Sequence, residues 1–147
     1  MKPRDNGSVT PDPADLRAAA FRLKHDLGKA VRWNAPSRRE KDPESLRRRL
    51  HRDLLETRLG PDGRMRSAVE VYEAWLAREG TLFAVARLSA MSEAIDAIRR
   101  RLPRLAQLGW NDLVALDEAS LRIQEEARAL WRDAVASDPD GSEEVAP

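Results

Sequence analysis

Apolar residues recur every three or four positions along most of the chain, which is the period of an amphipathic α-helix. The pattern predicts five helices, separated by short breaks that contain proline or glycine. Asp12 and Asp42, each followed by a proline, are expected to cap the first two helices, Gly60 and Gly63 to form a turn, and Pro103 to end or kink the fourth helix. No segment shows a convincing alternation with the period of two that a strand requires. The predicted helices span about residues 13–34, 43–58, 64–79, 82–102 and 111–136.

Short connections place consecutive helices antiparallel to one another, so the predicted fold is all-α. We expect an antiparallel helical bundle of four long helices plus a shorter polar helix, the second. Residues 13–136 form the predicted domain. Residues 1–12 are expected to be a disordered lead and residues 137–147 a disordered acidic tail, because neither segment has the apolar positions of a core.

The composition agrees with a helical protein and excludes several classes of function. Of the 147 residues, 35% are charged and 5% are aromatic, and none is cysteine, which excludes disulfides and thiolate chemistry. The net charge of +1 is too balanced for a dedicated nucleic-acid binder. No apolar run approaches the ~20 residues of a membrane span, and the first residues lack the apolar core of a signal peptide. We therefore expect a cytoplasmic protein.

The first predicted helix carries the most unusual surface. At about 100° per residue, one stripe of apolar residues forms the face expected to be buried. His25 lies opposite that stripe and should point into solvent. The apolar stripe consists of Leu16, Ala20, Leu23, Leu27, Ala30 and Val31.

The residues that share the outward side with His25 suggest a binding surface. Arg22, Lys29 and Arg32 stand three residues before His25 and four and seven residues after it, where side chains on a helix face are neighbours. Their charges are suited to bind an anion such as a phosphoryl group. Gly28 costs a helix ~1 kcal/mol relative to alanine, which favours a close approach by another molecule. The alternative is a solvated cationic face without a function. The surface comprises Phe21, Arg22, Gly28, Lys29 and Arg32.

The segment Leu-Lys-His-Asp-Leu-Gly-Lys at residues 23–29 resembles the phosphoacceptor segment of two-component signalling proteins. His25 matches the acceptor of histidine phosphotransfer domains, with Gly28 and Lys29 in reversed order relative to the Lys-Gly pair of that family. Asp26 matches the acidic residue after the histidine in the dimerisation-phosphotransfer helices of histidine kinases. The resemblance implies a relay that exchanges a phosphoryl group with a response-regulator receiver domain. It needs no cofactor, and the chain has no Gly-rich phosphate loop for ATP.

Three other interpretations stay open. A non-catalytic adaptor would dock a signalling partner through the same face without phosphorylation. A basic module would contact nucleic acid through the arginines of residues 47–52, although these runs lack the interleaved polar and aromatic side chains of a base reader. The His25-Asp26 pair also resembles metal-dependent phosphohydrolases of the HD type. That family requires a further histidine upstream of the pair, and none precedes His25, so no metal is predicted.

Overall fold

The computed structural model describes residues 11–30, 40–60 and 62–137. In these residues the chain is all-α apart from one minimal hairpin. The predicted lead and tail lie largely outside the described residues. The helices are α1 (Pro13–Ala30), α2 (Pro43–Leu50), α3 (Ala68–Glu79), α4 (Val85–Arg101) and α5 (Trp110–Ala136).

The starts of the first two helices follow directly from their sequence. Asp12 accepts a hydrogen bond from the Ala14 N–H at 2.9 Å, ahead of Pro13 at the first helical position. Asp42 caps α2 in the same way and accepts from the Ser45 N–H at 2.9 Å. Both N-caps were predicted from the Asp-Pro pairs and are confirmed.

The connection between α2 and α3 departs from the predicted helices. The second helix ends as α-helix at Leu50, continues as a π-helical turn over His51–Leu55 and stops before residue 58. Strands β1 (Arg58–Leu59) and β2 (Met65–Arg66) then pair antiparallel. The expectation of helix at residues 56–58 and 64–67, and of no strand, is wrong here. A ladder this short gives no readable alternation, and the turn prediction was the informative signal.

That turn was predicted from its two glycines and is confirmed. The Gly60 N–H donates to the Arg64 carbonyl at 2.7 Å, and the Gly63 N–H donates to the Gly60 carbonyl at 3.0 Å. Gly63 has a φ of +82°, a conformation that residues with a side chain rarely adopt. Arg66 bonds to Asp62 across the turn and lowers the pKa of that carboxyl to about 2.

The fourth helix begins three residues later than predicted. A 3₁₀ turn occupies Gly80–Leu82, and α4 starts after Ala84, which has no side-chain cap. Its end agrees with the prediction from Pro103: α4 stops at Arg101, and a 3₁₀ turn follows over Leu102–Gln107. Proline lacks the N–H that would continue the α-helical bonding pattern.

Helix α5 lies at the centre of the packing and contacts α1, α2 and α4, while α3 packs on α1. Helices α1 and α5 run antiparallel, since Phe21 touches Trp131 and the Gln124 amide donates to the Leu27 carbonyl at 3.5 Å. The core consists of Leu, Ile and Ala side chains around the buried Trp75 and Tyr72. No helix among the described residues is long and apolar enough to cross a membrane.

Candidate functional site

Helix α1 buries the described part of the predicted stripe and exposes the predicted histidine. Val31 and the side chain of Ala30, which the stripe also includes, lie outside the described residues. Ala20, Leu23 and Leu27 are buried, and Leu16 packs at the edge of the core. The His25 side chain is 49% exposed, on the side of the helix away from that core. Because the i, i+3/i+4 pattern fixes which side of α1 meets α5, it also fixes the direction of the imidazole.

The imidazole belongs to a small aromatic cluster at the surface. Its ring is stacked on Phe21, with centroids 5.6 Å apart and an interplanar angle of 20°. Phe21 in turn meets Trp131 of α5 edge-on at 5.5 Å. Phe21 is nevertheless 46% exposed, so the cluster presents apolar surface beside the histidine. The exposed edge of this cluster is accessible to another molecule.

Asp26 lies next to the imidazole and favours one of the two positions for the ring proton. Its Oδ1 is 3.6 Å from Nδ1 of His25, which is too long for a hydrogen bond but close enough for electrostatic attraction. A carboxylate at this place favours a proton on Nδ1, and the lone pair of the neutral ring then lies on Nε2. Nε2 is the nitrogen that such a tautomer offers as a nucleophile.

Arg22 does not take the predicted role of a free cation beside His25. Its guanidinium makes a bidentate ion pair with Glu79 at the end of α3, with Nε 2.9 Å from Oε2. The hydrogen bond to Glu79 raises the pKa of Arg22, and the same bond lowers the pKa of Glu79 below its ordinary value. Arg22 therefore holds α1 to α3, and its charge is already compensated.

The rest of the predicted surface is only partly described. Arg32 lies outside the described residues, and only the helical backbone is described at Gly28 and Lys29. The structure adds Lys24, whose Nζ is 6.0 Å from the centre of the Trp131 ring. Sequence reasoning missed Trp131 and Glu79 as neighbours of this site because both come from helices distant in the chain. No local signal pairs them with α1.

The Arg22–Glu79 pair predicts a pH-dependent contribution to stability. A lowered folded-state pKa means that the unfolded chain binds more protons, so this contribution is present above the ordinary pKa of a glutamate and is lost as the pH falls. We expect Glu79→Gln to lower the free energy of unfolding at pH 7 by about 1 kcal/mol, a value limited by the half-exposed guanidinium. Urea denaturation between pH 3 and pH 7 measures it.

The deficit of Glu79→Gln should shrink as the pH falls below the ordinary range of glutamate and disappear once wild-type Glu79 is protonated. The exposed Glu93 provides a matched control, and Glu93→Gln should leave the pH profile unchanged. A deficit for Glu79→Gln that stays constant across the whole range would contradict a charge-based role.

The arginine-rich second helix uses two of its cations internally. Arg47 donates to the carbonyls of Leu105 at 3.0 Å and Leu108 at 2.7 Å. Arg49 lies between Glu40 at 2.9 Å and Asp117 of α5 at 3.1 Å. These bonds tie α2 to the rest of the fold, so Arg47 and Arg49 do not belong to a uniformly solvated cationic face.

The fold and this site define a class: a small all-helical protein that exposes one histidine, within an aromatic patch, on the flank of its first helix. No group of three or more metal-ligating side chains lies together in the part of the chain that the structure describes. The chain matches no protein-family model, and no curated protein or solved structure shows significant similarity to it.

Proposed function

We propose that this protein is a phosphorelay carrier of the histidine phosphotransfer type, which accepts or passes a phosphoryl group at His25. The observation that carries the proposal is the half-exposed imidazole on a helix flank, with the Asp26 carboxylate beside Nδ1. The partner is a receiver domain of a response regulator. We also propose that the longer helices form an antiparallel bundle and that the protein is cytoplasmic.

The chemistry follows from the tautomer that Asp26 favours. Nε2 of the neutral ring attacks the phosphorus of a receiver aspartyl phosphate, the N–P bond forms, and the bond from phosphorus to the aspartyl oxygen breaks. The receiver carboxylate leaves with its electron pair, and the positive charge gained by the imidazole is offset by Asp26. Transfer in this manner depends chiefly on positioning and on compensation of charge.

The cationic support for a phosphoryl group comes from fewer residues than the sequence indicates. Arg22 is neutralised by Glu79, which leaves Lys24 as the described cation adjacent to His25. Lys29, one turn beyond His25 in sequence, is the second cation of this proposal. The exposed Phe21 supplies apolar surface on which the receiver domain packs.

The chain contains an internal control for a test, because His51 is the only other histidine and is also exposed. Phosphoramidate, a small donor of phosphoryl groups to imidazoles, should label His25 about tenfold faster than His51, a difference of ~1.4 kcal/mol in the barrier. Transfer from phosphorylated receiver domains should give an acid-labile, alkali-stable label. Mass spectrometry of the intact protein and its peptides measures both.

The label should vanish in His25→Gln and persist in His51→Gln. Equal rates at the two histidines, together with no label from any receiver domain, would refute the relay. A label that survives His25→Gln would do the same.

A second candidate is a non-catalytic adaptor, and the exposure of the stacked Phe21 favours it. An adaptor would bind its partner through Phe21 and the neighbouring turn without covalent chemistry. Its binding, measured by calorimetry, should survive His25→Ala and fail in Phe21→Asp. The third interpretation is a basic nucleic-acid-contacting module. It has less support, because Arg47 and Arg49 bond to other parts of the fold.

A further inference from the structure

A groove of about 380 Å³ lies between α2 with its π-helical turn and the 3₁₀ turn after α4. Its surface is mostly apolar and is formed by Leu55 from one side and by Leu102, Pro103, Leu105 and Ala106 from the other. The volume lies within the range of pockets for small organic ligands. No residue of the His25 site contributes to it.

The wall of the groove is held in place by Arg47. Its guanidinium bonds to the carbonyls of Leu105 and Leu108 and, at 2.8 Å, to the carboxylate of Glu44. These bonds satisfy carbonyls at the end of a helical turn, which otherwise need water. Arg47 and Glu44 compensate each other, so neither contributes a free charge to a ligand.

Arg48 and His51 supply the uncommitted polar groups of the rim. They stand three residues apart on one helix, where side chains are neighbours, and both line the groove. Arg48 makes one long hydrogen bond, 3.4 Å, to the Ser45 hydroxyl. Among the described residues, neither side chain has an ion-pair partner within 4.0 Å, and the Arg48 charge is near enough to Asp42 to contribute to the lowered pKa of that carboxyl. The rim therefore offers a guanidinium and an imidazole to an anion.

The π-helical turn contributes its first and last residues, His51 and Leu55, to the groove. Such turns are frequent at functional sites. Leu55 is 39% exposed at the groove. A ligand chain lying along the groove would cover it.

We propose that the groove binds a small organic monocarboxylate, with its aliphatic chain on the apolar floor and its carboxylate between Arg48 and His51. The size of the groove, its apolar lining and the exposed Arg48 cation at one rim favour this class of ligand. Inorganic phosphate leaves the floor uncovered, and a neutral hydrocarbon makes no use of the Arg48 charge. This site is independent of phosphotransfer at His25.

The test is an NMR titration of the full chain with octanoate. Octanoate should bind saturably and shift the amide signals of residues 48–55 and 102–106. Octanol has the same chain without the charge, and acetate has the charge without the chain, so each should bind about fivefold or more weakly than octanoate.

Two variants separate the contribution of the Arg48 charge to binding from that of the apolar space in the groove. Arg48→Gln should weaken octanoate about fivefold and leave octanol unchanged. Ala106→Trp fills the groove from an exposed position and should weaken octanoate about tenfold or more. The matched controls are the exposed Arg100 and Ala86 of α4, so Arg100→Gln and Ala86→Trp should bind octanoate like the wild type.

The proposal fails if octanoate does not saturate, if its shifts map elsewhere, or if Ala106→Trp binds octanoate like the wild type. It also fails if octanoate does not bind and Ala106→Trp converts a dimer into monomers in sedimentation, because the groove is then an interface between copies of this chain. Thermal unfolding monitored by circular dichroism checks that each variant is folded.

Discussion

Replacement of Arg49 by methionine is expected to lower the free energy of unfolding by about 3–5 kcal/mol. The Arg49 side chain is 12% exposed and lies among the carboxylates of Glu40, Asp53 and Asp117. Burial lowers the pKa of Arg49, but the hydrogen bond to Glu40 and the charge of Asp117 outweigh burial and raise it. Methionine fills a similar volume and leaves the buried acids without their shared counter-charge.

Asp53 shows why that loss is costly. It is buried, and burial raises its pKa in spite of the opposing charges of Arg52 and Arg49. Without Arg49, this buried carboxyl loses one of its counter-charges, while Arg52 stays 3.3 Å away, and protonation of the carboxyl becomes more favourable. We therefore expect that Asp53→Asn, added to Arg49→Met, recovers part of the lost stability, as neighbouring substitutions in one charge network are not additive.

The adjacent arginine is the matched control for this experiment. Arg48 is exposed, and Arg48→Met should change the free energy of unfolding by less than about 0.5 kcal/mol. Urea denaturation at pH 7 measures all four proteins. Equal stabilities of Arg48→Met and Arg49→Met would contradict a structural role for the charge network.

Replacement of Trp75 by alanine is expected to cost about 3–5 kcal/mol of unfolding free energy. The Trp75 ring is buried between Tyr72 and Phe83, at centroid distances of 6.2 Å and 5.7 Å. Its Nε1–H donates to the carbonyl of Ala19 at 2.8 Å, which joins α3 to α1. Alanine removes both the apolar contact and the hydrogen bond and leaves a cavity.

Two further variants divide this effect into its parts. Trp75→Phe keeps most of the apolar contact and loses the hydrogen bond, so it should cost less than Trp75→Ala, about 1–3 kcal/mol. Trp110 is 39% exposed at the start of α5, and Trp110→Ala should cost clearly less than Trp75→Ala. Thermal and urea denaturation provide the values. A loss at Trp110 as large as that at Trp75 would contradict the assignment of the core.

The sequence was most informative where a few neighbouring residues decide the structure. Asp12 and Asp42 cap their helices as predicted, and the apolar spacing of α1 correctly places Leu23 and Leu27 inside and His25 outside. The two-residue strands and the π-helical turn were not predicted. Both are too short for a periodic signal, and the residues before and after them favour helix.

The sequence by itself determined the helical class, the starts of the first two helices and the side of α1 on which His25 is exposed, because these depend on spacing and capping within a few residues. Only the tertiary structure decided which cations are available. Glu79 neutralises Arg22 from 57 residues away, and Asp117 lies against Arg49 from α5. A charge is free or compensated according to what the fold brings beside it, and a local pattern contains no information on such distant neighbours.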